Sequence, residues 1–175
     1  MRVISGEAKG RKLITPDGLD VRPTLDRVKE SVFSSLYPYL KDANVLDLFS
    51  GSGSLGIEAL SRGAKHCDFV DSSKVSIDVT RKNLEFTKLN YKSTVYLSDF
   101  KAHITKTKDK YTLVLLDPPY SKGFEDIAME LLPDVTEEGA IVMLETEYQP
   151  TDYDGFEMIR QAKYGRVYIT LYKRI

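Results

Sequence analysis

Hydrophobic positions along this chain follow two different spacings. Before residue 40 they recur at intervals of three and four, which predicts an amphipathic helix over about residues 25–37. Ahead of that helix, two short β-prone runs lie around Gly6 and Gly10 and predict a small hairpin. The chain is therefore expected to open with a hairpin and a helix.

From Asn44 onward, strand-like and helix-like segments alternate. The predicted strands cover residues 45–49, 67–70, 94–97, 111–116, 140–145, 156–163 and 166–172, and the predicted helices cover residues 55–62, 74–88 and 124–132. Such alternation is typical of βαβ units, which form a parallel sheet with helices on both faces. The last two strands flank the tight turn Tyr164-Gly165 and predict an antiparallel hairpin. This α/β pattern, a mostly parallel seven-stranded sheet ending in an antiparallel hairpin, resembles the Rossmann-like class I methyltransferase fold.

The length of 175 residues allows one α/β core and excludes two. We expect a hairpin-and-helix extension at residues 1–40 and a main domain at residues 41–175. The single cysteine, Cys67, excludes an internal disulfide, and the absence of a Cys/His cluster argues against a metal site. No apolar run approaches the ~20 residues of a membrane span, and the first residues lack the apolar core of a signal peptide. We expect a monomeric cytoplasmic protein with no metal and no membrane partner.

Net charge is −1, so total charge does not indicate a nucleic-acid partner. The distribution is uneven, because residues 1–12 and 158–175 are mainly basic, whereas residues 124–157 contain acids and no Lys or Arg. A polyanion can approach the basic regions and is repelled by the acidic one. From charge alone, ordinary solvated surfaces explain the pattern equally well.

A glycine-rich loop follows the first strand of the predicted parallel sheet. Gly51, Gly53 and Gly56 form a G-x-G-x-x-G pattern, in which small residues let a ligand approach the backbone closely. Nicotinamide dehydrogenases carry the same pattern. Asp47, just before the loop, favours S-adenosylmethionine instead, because a carboxylate repels a pyrophosphate and attracts an ammonium group.

Two further acids follow the second and third strands. Asp71 can accept hydrogen bonds from both ribose hydroxyls of a nucleoside, and a helix-capping role is compatible with this. Asp99, with Phe100 beside it, lies where such folds often hold an adenine amino group, although capping of the next helix explains it nearly as well. The candidate cofactor-binding residues are Asp47, Phe49, Ser50, Gly51, Ser52, Gly53, Asp71, Ser72, Asp99 and Phe100.

The fourth strand ends abruptly in Asp117-Pro118-Pro119-Tyr120. Two consecutive prolines discard two backbone donors, which is costly for a simple turn. An exocyclic base amine is a poor nucleophile, because its lone pair is delocalised into the ring. Asp117 and the Pro118 carbonyl can accept its two N–H bonds, and Tyr120 can stack on a base that has left its helix or loop. These four residues are the candidate catalytic residues, and they do not choose between adenine, cytosine and guanine.

The motifs together resemble a known family over nearly the whole chain. They are MRVISG at 1–6 with KGRKL at 9–13, RPT at 22–24 with DRVKE at 26–30 and Phe33, LDLFSGSG at 46–53 with GIEALSRGA at 56–64, and DPPY at 117–120. This set is similar to the RsmD family of bacterial 16S ribosomal RNA (guanine-N2) methyltransferases. The two N-terminal blocks are the specific ones, because many amino-methyltransferases share the other two.

The resemblance implies S-adenosylmethionine as methyl donor and a guanine of 16S ribosomal RNA as acceptor, namely guanine 966, for which the family is named. It implies the assembled small subunit, rather than free RNA, as the preferred substrate. It also implies that Asp47, the loop at 51–53, Asp71 and Asp99 hold the cofactor, while residues 117–120 hold the base.

The N-terminal extension carries the candidate RNA-docking residues. They are Arg2, Lys9, Arg11, Lys12, Arg22 and Arg27. Arg27 can instead pair with Glu30 on the helix or line the cofactor pocket, whereas Arg11 and Lys12 lie in a segment with no such partner. If the extension only supports the fold, the basic C-terminal strands are the next candidate for RNA docking.

Three other functions compete with this interpretation. A DNA adenine amino-methyltransferase usually adds a sizeable target-recognition segment, for which this chain has no room. A nicotinamide-dependent oxidoreductase accounts for the glycine loop and leaves residues 117–120 unexplained. A non-catalytic RNA-binding module is disfavoured by the intact catalytic tetrapeptide.

Overall fold

A computed structural model describes residues 1–16 and 23–175 and contains five α-helices and a seven-stranded sheet in that part of the chain. In chain order the elements are α1 (Pro23–Leu36), β1 (Asn44–Leu48), α2 (Ser54–Ser61), β2 (His66–Asp71), α3 (Lys74–Thr87), β3 (Ser93–Leu97), α4 (Phe100–Lys106), β4 (Tyr111–Leu116), α5 (Phe124–Leu131), β5 (Thr136–Thr146), β6 (Phe156–Tyr164) and β7 (Val167–Arg174). No helix of this part is long and apolar enough to cross a membrane.

The strands form one sheet in the order β3-β2-β1-β4-β5-β7-β6. The first five are parallel, and β7 pairs antiparallel with both β5 and β6. The predicted fold class is confirmed. The chain runs from β1 outward to β3 and then returns to β4, so the direction of winding reverses between β1 and β4. Ligands in open α/β sheets bind at this switch point, beyond the carboxyl ends of the strands.

Helices cover both faces of the sheet and create two cores. Val45 and Leu113 point to one side, where they pack with α1, α2 and α3. Their chain neighbours Leu46 and Val114 point to the other side, where they pack with α4 and α5. Because β1 and β4 are buried on both faces, their sequences are nearly continuous apolar runs.

The N-terminal segment, residues 1–16, forms less of a hairpin than predicted. Its only β-bridge outside the named strands pairs Arg2 with Lys12. Val3 and Leu13 are nevertheless buried in the same core as α1 and α2. The segment therefore packs on the main domain as part of its first core. The sequence Pro16-Asp17-Gly18, which is typical of a turn, continues into residues 17–22, which lie outside the described residues.

Two elements differ from their predicted extents. The segment after β3 forms α4, a helix that is not among the predicted ones. Asp99 caps it by accepting hydrogen bonds from the backbone N–H groups of Lys101 and Ala102, at 3.0 and 3.2 Å. β5 begins earlier than predicted, at Thr136, because an irregular register lets its polar start pair with Tyr111 before the regular pairing begins. The start of a strand is not detected from hydrophobic periodicity when its residues are polar.

Candidate active site

The glycine loop lies between β1 and α2 and brings the helix close to the sheet. Gly51 and Gly53 have positive φ angles of 55° and 80°, and Gly53 caps α2. A Cβ atom on Gly56 would lie 2.3 Å from the Phe69 ring and 2.8 Å from the Cys67 Sγ atom on β2. The third glycine is therefore required by helix-to-strand packing, while the first two shape the loop that faces the ligand side.

Asp47 is buried beside this loop at the carboxyl end of β1. Its Oδ2 accepts a hydrogen bond of 2.9 Å from the Gly56 N–H. Burial raises the pKa of Asp47 to about 7, the hydrogen bond from Gly56 opposes this shift, and repulsion from Asp71 adds to it. A cation bound here would favour the ionised carboxylate, so the position suits an ammonium group.

Asp71 ties the glycine loop to the start of α3. Its Oδ2 accepts from the Gly51 N–H at 2.9 Å, and its Oδ1 accepts from the Ser73 N–H at 2.8 Å. The N-cap of α3 is Ser73, whose hydroxyl accepts from the Ser76 N–H. Each carboxylate oxygen has further acceptor capacity, so these contacts leave Asp71 able to bind hydroxyl groups.

The first cavity, of about 340 Å³, lies at the carboxyl ends of β1 to β4. Its lining residues are Phe49, Val70, Asp71, Ser72, Ser98, Asp99, Phe100, Asp117, Pro119 and Phe124. The Phe49, Phe100 and Phe124 rings cluster with centroids 4.9 to 6.0 Å apart. Asp99 uses only Oδ1 to cap α4, so its Oδ2 is available to a ligand. An aromatic wall with acids at the rim fits a nucleoside.

The second cavity, of about 350 Å³, lies on the other side of Asp117. It lies between the glycine loop, Met1, α1 and the turn that joins β6 to β7, and its lining includes Asp47, Asp117 and Glu145. Phe49 and Asp117 line both cavities. The two spaces therefore meet at the first residue of the Asp-Pro-Pro-Tyr motif.

Asp117 follows the last residue of β4 and carries an unusual charge environment. Burial, followed by repulsion from Glu145 and Asp47, raises the pKa of its carboxyl well above the ordinary value. Within residues 1–16 and 23–175, no group donates a hydrogen bond to this carboxylate. Asp117 therefore holds acceptor capacity that a ligand with N–H groups can use.

A side pocket of about 70 Å³ lies next to the second cavity. Its lining residues are Pro118, Pro119, Tyr120, Ser121, Glu125, Glu145, Thr146, Glu147 and Tyr148. The Tyr120 hydroxyl donates to Glu145 Oε1 at 2.6 Å, and the Tyr148 hydroxyl donates to Glu125. Three residues of the motif thus border a small space that contains aromatic rings and carboxylates.

Except for Gly53, the predicted cofactor-binding and catalytic residues line the three spaces just described, at one edge of the sheet. Gly53 caps α2 at the same edge. Sequence analysis missed Lys29, Phe124, Glu145 and Tyr148. Phe124 begins a predicted helix and Glu145 ends a predicted strand, so the rule that ligands lie at the carboxyl edge would have found both. Lys29 gave no such signal, since α1 precedes the sheet.

Lys29 is buried between α1, α2 and the N-terminal segment. Its Nζ donates to the Arg2 carbonyl at 2.7 Å and to Ser54 Oγ at 3.1 Å, and it lies 3.3 Å from Glu58 Oε2. Burial lowers its pKa, and attraction to Glu58 opposes that shift. Lys29 therefore supports the wall of the second cavity.

The predicted RNA-docking residues have different surroundings. Arg2 pairs with Asp26 at 3.3 Å, and Arg11 donates to the Phe86 carbonyl at 2.7 Å with its guanidinium over the Phe86 ring. Lys9 and Lys12 are exposed. Arg11 thus has a partner on α3 that lies far away in sequence.

The other two predicted RNA-docking residues belong to the start of α1. Arg27 is exposed, and Glu30 pairs with Arg62 at 3.2 Å. Arg22 lies outside the described residues. No group of three or more metal-ligating side chains is present in the part of the chain that the structure describes.

A doubly wound sheet, a glycine loop with a buried acid at the switch point, and Asp-Pro-Pro-Tyr at the next strand end define a class I methyltransferase. A family profile described as conserved hypothetical protein 95 matches residues 1–173. The chain belongs to this family, and the resemblance to the RsmD family is confirmed.

Two curated relatives are similar over almost the whole chain. The chain is 34% identical to ribosomal RNA small subunit methyltransferase D of Escherichia coli, with 99% of this chain and 90% of the relative covered. It is 37% identical to YlbH of Bacillus subtilis, named as a candidate rRNA methyltransferase, with 99% of both chains covered.

Solved structures agree with this fold. An Escherichia coli structure described as a candidate methyltransferase, yhhF, superposes with a TM-score of 0.89 at 34% identity, covering 99% of this chain and 97% of that one. The candidate methyltransferase SMU.776, complexed with SAH, has a TM-score of 0.70 at 15% identity and covers 90% of this chain and 51% of its own. The second likeness concerns the fold alone. The predicted cofactor, S-adenosylmethionine, agrees with the methyltransferase names of the relatives at 34% identity.

Proposed function

We propose that this protein transfers a methyl group from S-adenosylmethionine to the N2 amine of a guanine in 16S ribosomal RNA, with guanine 966 of the small subunit as the target. One observation carries the proposal: Asp117 lines both the first and the second cavity. A donor whose nucleoside fills the first cavity and whose amino-acid end reaches Asp47 in the second would meet a base at this carboxylate. The name of the Escherichia coli relative supports ribosomal RNA of the small subunit as the substrate.

The residues of the first cavity fit the nucleoside part of S-adenosylmethionine. Asp71 would accept from the ribose hydroxyls, and Asp99 Oδ2 would accept from the adenine amine beside the cluster of the Phe49, Phe100 and Phe124 rings. Asp47 would attract the ammonium group at the other end. When bound, S-adenosylmethionine supplies a methyl group that is activated by its sulfonium.

The side pocket and the part of the second cavity away from Asp47 fit the base. Asp117 and the Pro118 carbonyl would accept the two N–H bonds of the exocyclic amine, which helps the nitrogen to become tetrahedral. Asp117 would also receive the proton that the amine releases, and its raised pKa makes it a better base than an exposed aspartate. The Tyr120 and Tyr148 rings offer stacking surfaces for a base that has left the RNA structure.

Two segments that contribute to the wall of the second cavity also carry basic groups. The N-terminal segment contributes Met1 to its lining and carries Arg2, Lys9 and Lys12 nearby in sequence. The turn between β6 and β7 contributes Tyr164 and Val167, and exposed Arg166 lies between them. RNA phosphates bound to both segments would hold a guanine over Asp117. We place this reaction in the bacterial cytoplasm, where small subunits are assembled.

Incubation with radiolabelled S-adenosylmethionine and small subunits from a strain that lacks this methylation tests the proposal. We expect one labelled nucleoside, N2-methylguanosine, which nuclease mapping and mass spectrometry would place at guanine 966. Free 16S ribosomal RNA should be labelled more slowly, and duplex DNA should remain unlabelled. Label in adenosine or in DNA would contradict the proposal, and titration with NAD should show no binding.

A further inference from the structure

Glu145 occupies the junction between the second cavity and the side pocket. Leu116 on β4 pairs with Leu144 on β5, so the next residues, Asp117 and Glu145, lie side by side at the same level of the sheet. Glu145 lines the second cavity together with Asp117 and the side pocket together with Tyr120. A base amine held by Asp117 would therefore have Glu145 as the next carboxylate along its edge.

The Glu145 carboxylate has acceptor capacity that the protein does not use. Its Oε1 accepts from the Tyr120 hydroxyl at 2.6 Å, which fixes the side chain. Within residues 1–16 and 23–175, no group donates to its Oε2. Burial raises the pKa of Glu145, Tyr120 opposes that shift, and repulsion from Glu147 adds to it. A ligand that brings an N–H group to Oε2 would stabilise the ionised carboxylate.

The three bases with an exocyclic amine differ in the atom beside that amine. In guanine, the ring nitrogen N1 next to the N2 amine carries a hydrogen and donates. In adenine, the ring nitrogen next to the N6 amine is an acceptor, and the same is true of cytosine next to its N4 amine. An ionised carboxylate accepts only, so it attracts the guanine edge and repels the other two.

We propose that Glu145 is the residue that selects guanine, by accepting the N1–H bond of the base while Asp117 accepts from the N2 amine. This inference rests on the proposed function and deepens it. It supplies the discrimination that the Asp-Pro-Pro-Tyr motif lacks. A polar site built for a donor rejects an analogue without that donor, because the carboxylate is then left unpaired in a buried place.

The test uses small subunits reconstituted with 16S ribosomal RNA that carries 2-aminopurine at the nucleotide methylated by the wild-type enzyme. This base keeps the amine at C2 and presents an acceptor at N1. The rates of methyl transfer to guanine and to 2-aminopurine are measured for the wild type, Glu145→Gln, Glu145→Asp and the exposed control Glu138→Gln, which removes a charge from the same strand. Glutamine can donate from its amide to the N1 acceptor.

We expect the wild type and Glu138→Gln to prefer guanine by about tenfold or more, as for one charged hydrogen bond. Glu145→Gln should lower the ratio of the guanine rate to the 2-aminopurine rate by about fivefold or more. We expect this because transfer to guanine becomes slower, whereas transfer to 2-aminopurine does not. Glu145→Asp keeps an ionised acceptor and should retain a preference for guanine at a reduced rate.

Two outcomes would overturn the inference. If Glu145→Gln leaves the ratio of the two rates unchanged, for example by slowing both substrates equally, Glu145 does not bind the N1–H group of guanine. Loss of the preference in Glu145→Asp with an unchanged ratio in Glu145→Gln would also contradict it. A wild-type enzyme that forms no N2-methylguanosine at all would show that the proposed function itself has failed, which the wild-type reaction on unmodified subunits reveals separately.

Discussion

At the scale of single residues, the site keeps carboxylates where ionisation is costly to the folded protein. Asp47 shows in which direction pH changes the stability of the folded protein. Its pKa is about 7 in the folded protein, above the ordinary value of 3.8. The stabilising contribution of this raised pKa is fully present below about pH 4 and is lost as pH rises through about 7. Above neutral pH the buried charge therefore opposes folding, and a bound cation can compensate for it.

Replacement of Asp47 by Asn should change stability and cofactor binding in opposite directions. The amide oxygen can still accept from Gly56 and cannot ionise, so we expect the free energy of unfolding at pH 8 to rise by on the order of 2 to 4 kcal/mol. At pH 5 the rise should be smaller, on the order of 1 to 2 kcal/mol, because the carboxyl is then protonated in the folded protein and already mostly ionised in the unfolded one. Urea unfolding at the two pH values measures this, with the exposed Asp154→Asn as control.

The same Asp47→Asn variant should bind S-adenosylmethionine at least tenfold more weakly by isothermal titration, since the ammonium loses a charged partner worth about 1.5 to 3 kcal/mol. Equal affinity of variant and wild type would remove Asp47 from the cofactor site. A variant that is less stable at pH 8 would show that the charge is not the destabilising feature.

Asp117 is the residue at which removal should stop the reaction while leaving the cofactor bound. We expect Asp117→Ala to slow methyl transfer by ~10²-fold or more, as when one preorganised group that stabilises a transition state is lost. Affinity for S-adenosylmethionine should stay within a few-fold of wild type. Single-turnover rates on small subunits measure the first effect. Transfer at more than about a tenth of the normal rate would exclude Asp117 as the group that orients the amine.

At the scale of elements, the N-terminal segment is held to α2 by one buried acid. Glu58 accepts from the Ile4 and Ser5 N–H groups at 2.9 and 3.1 Å, and pairs with Lys29 at 3.3 Å and Arg62 at 2.8 Å. Removing one partner of such a buried ionic cluster is strongly destabilising, because the remaining charge is left unpaired. This contact fixes Met1 at the wall of the second cavity.

Gly6 tests how closely the segment must approach α2. It has a φ of 87°, and a Cβ atom there would lie 1.8 Å from the Ser61 carbonyl oxygen. Gly10 has a φ of 82° and nothing within 4 Å of its Cβ position, so it carries the same backbone strain without the clash. We expect Gly10→Ala to cost about 1 to 2 kcal/mol and Gly6→Ala clearly more.

Chemical denaturation of the two alanine variants measures the difference. Hydrogen exchange locates it, because the Ile4 and Ser5 amides should lose protection only in Gly6→Ala. Equal destabilisation of the two variants would mean that the segment can shift away from Ser61 without loss.

At the scale of the whole molecule, exposed lysines lie on both faces of the sheet. Arg11 is engaged with Phe86 and Arg2 with Asp26, so within residues 1–16 Lys9 and Lys12 are the basic residues whose side chains are left to solvent. This segment packs with α1, α2 and α3, whereas the exposed Lys106 and Lys108 lie at the end of α4 and just before β4, on the opposite face. The two lysine pairs therefore differ in position and carry the same charge.

Replacement of Lys9 and Lys12 by Ala should weaken binding to small subunits and reduce the salt slope of binding by roughly one to two, at ~0.7 to 0.9 per phosphate contact. The Lys106→Ala, Lys108→Ala double variant should leave the slope unchanged. Filter binding at several salt concentrations measures both. A normal slope in the Lys9, Lys12 variant would move the docking surface to the basic strands β6 and β7.

The features that sequence could predict are those with local signals. The apolar run before Asp117 and the spacing of Gly51, Gly53 and Gly56 each occupy a few consecutive residues, and they located the sheet and its ligand edge. The end of the fifth predicted strand points to Glu145 as a residue of the ligand edge, but its place beside Asp117 follows only from the pairing of β4 with β5. The contact of Arg11 with Phe86 joins segments far apart in sequence and leaves no trace in a local pattern.

The position of β7 has a consequence for synthesis of the protein on the ribosome. β7 is translated after β6, yet it lies between β5 and β6 and pairs with both. Until β7 has left the exit tunnel, β6 has no native neighbour and one edge of β5 is open, which invites mispairing of nascent strands. The wall of the second cavity that contains Tyr164, Val167 and Ile169 is also incomplete at that stage. A nascent chain therefore completes the second cavity only when translation has passed β7.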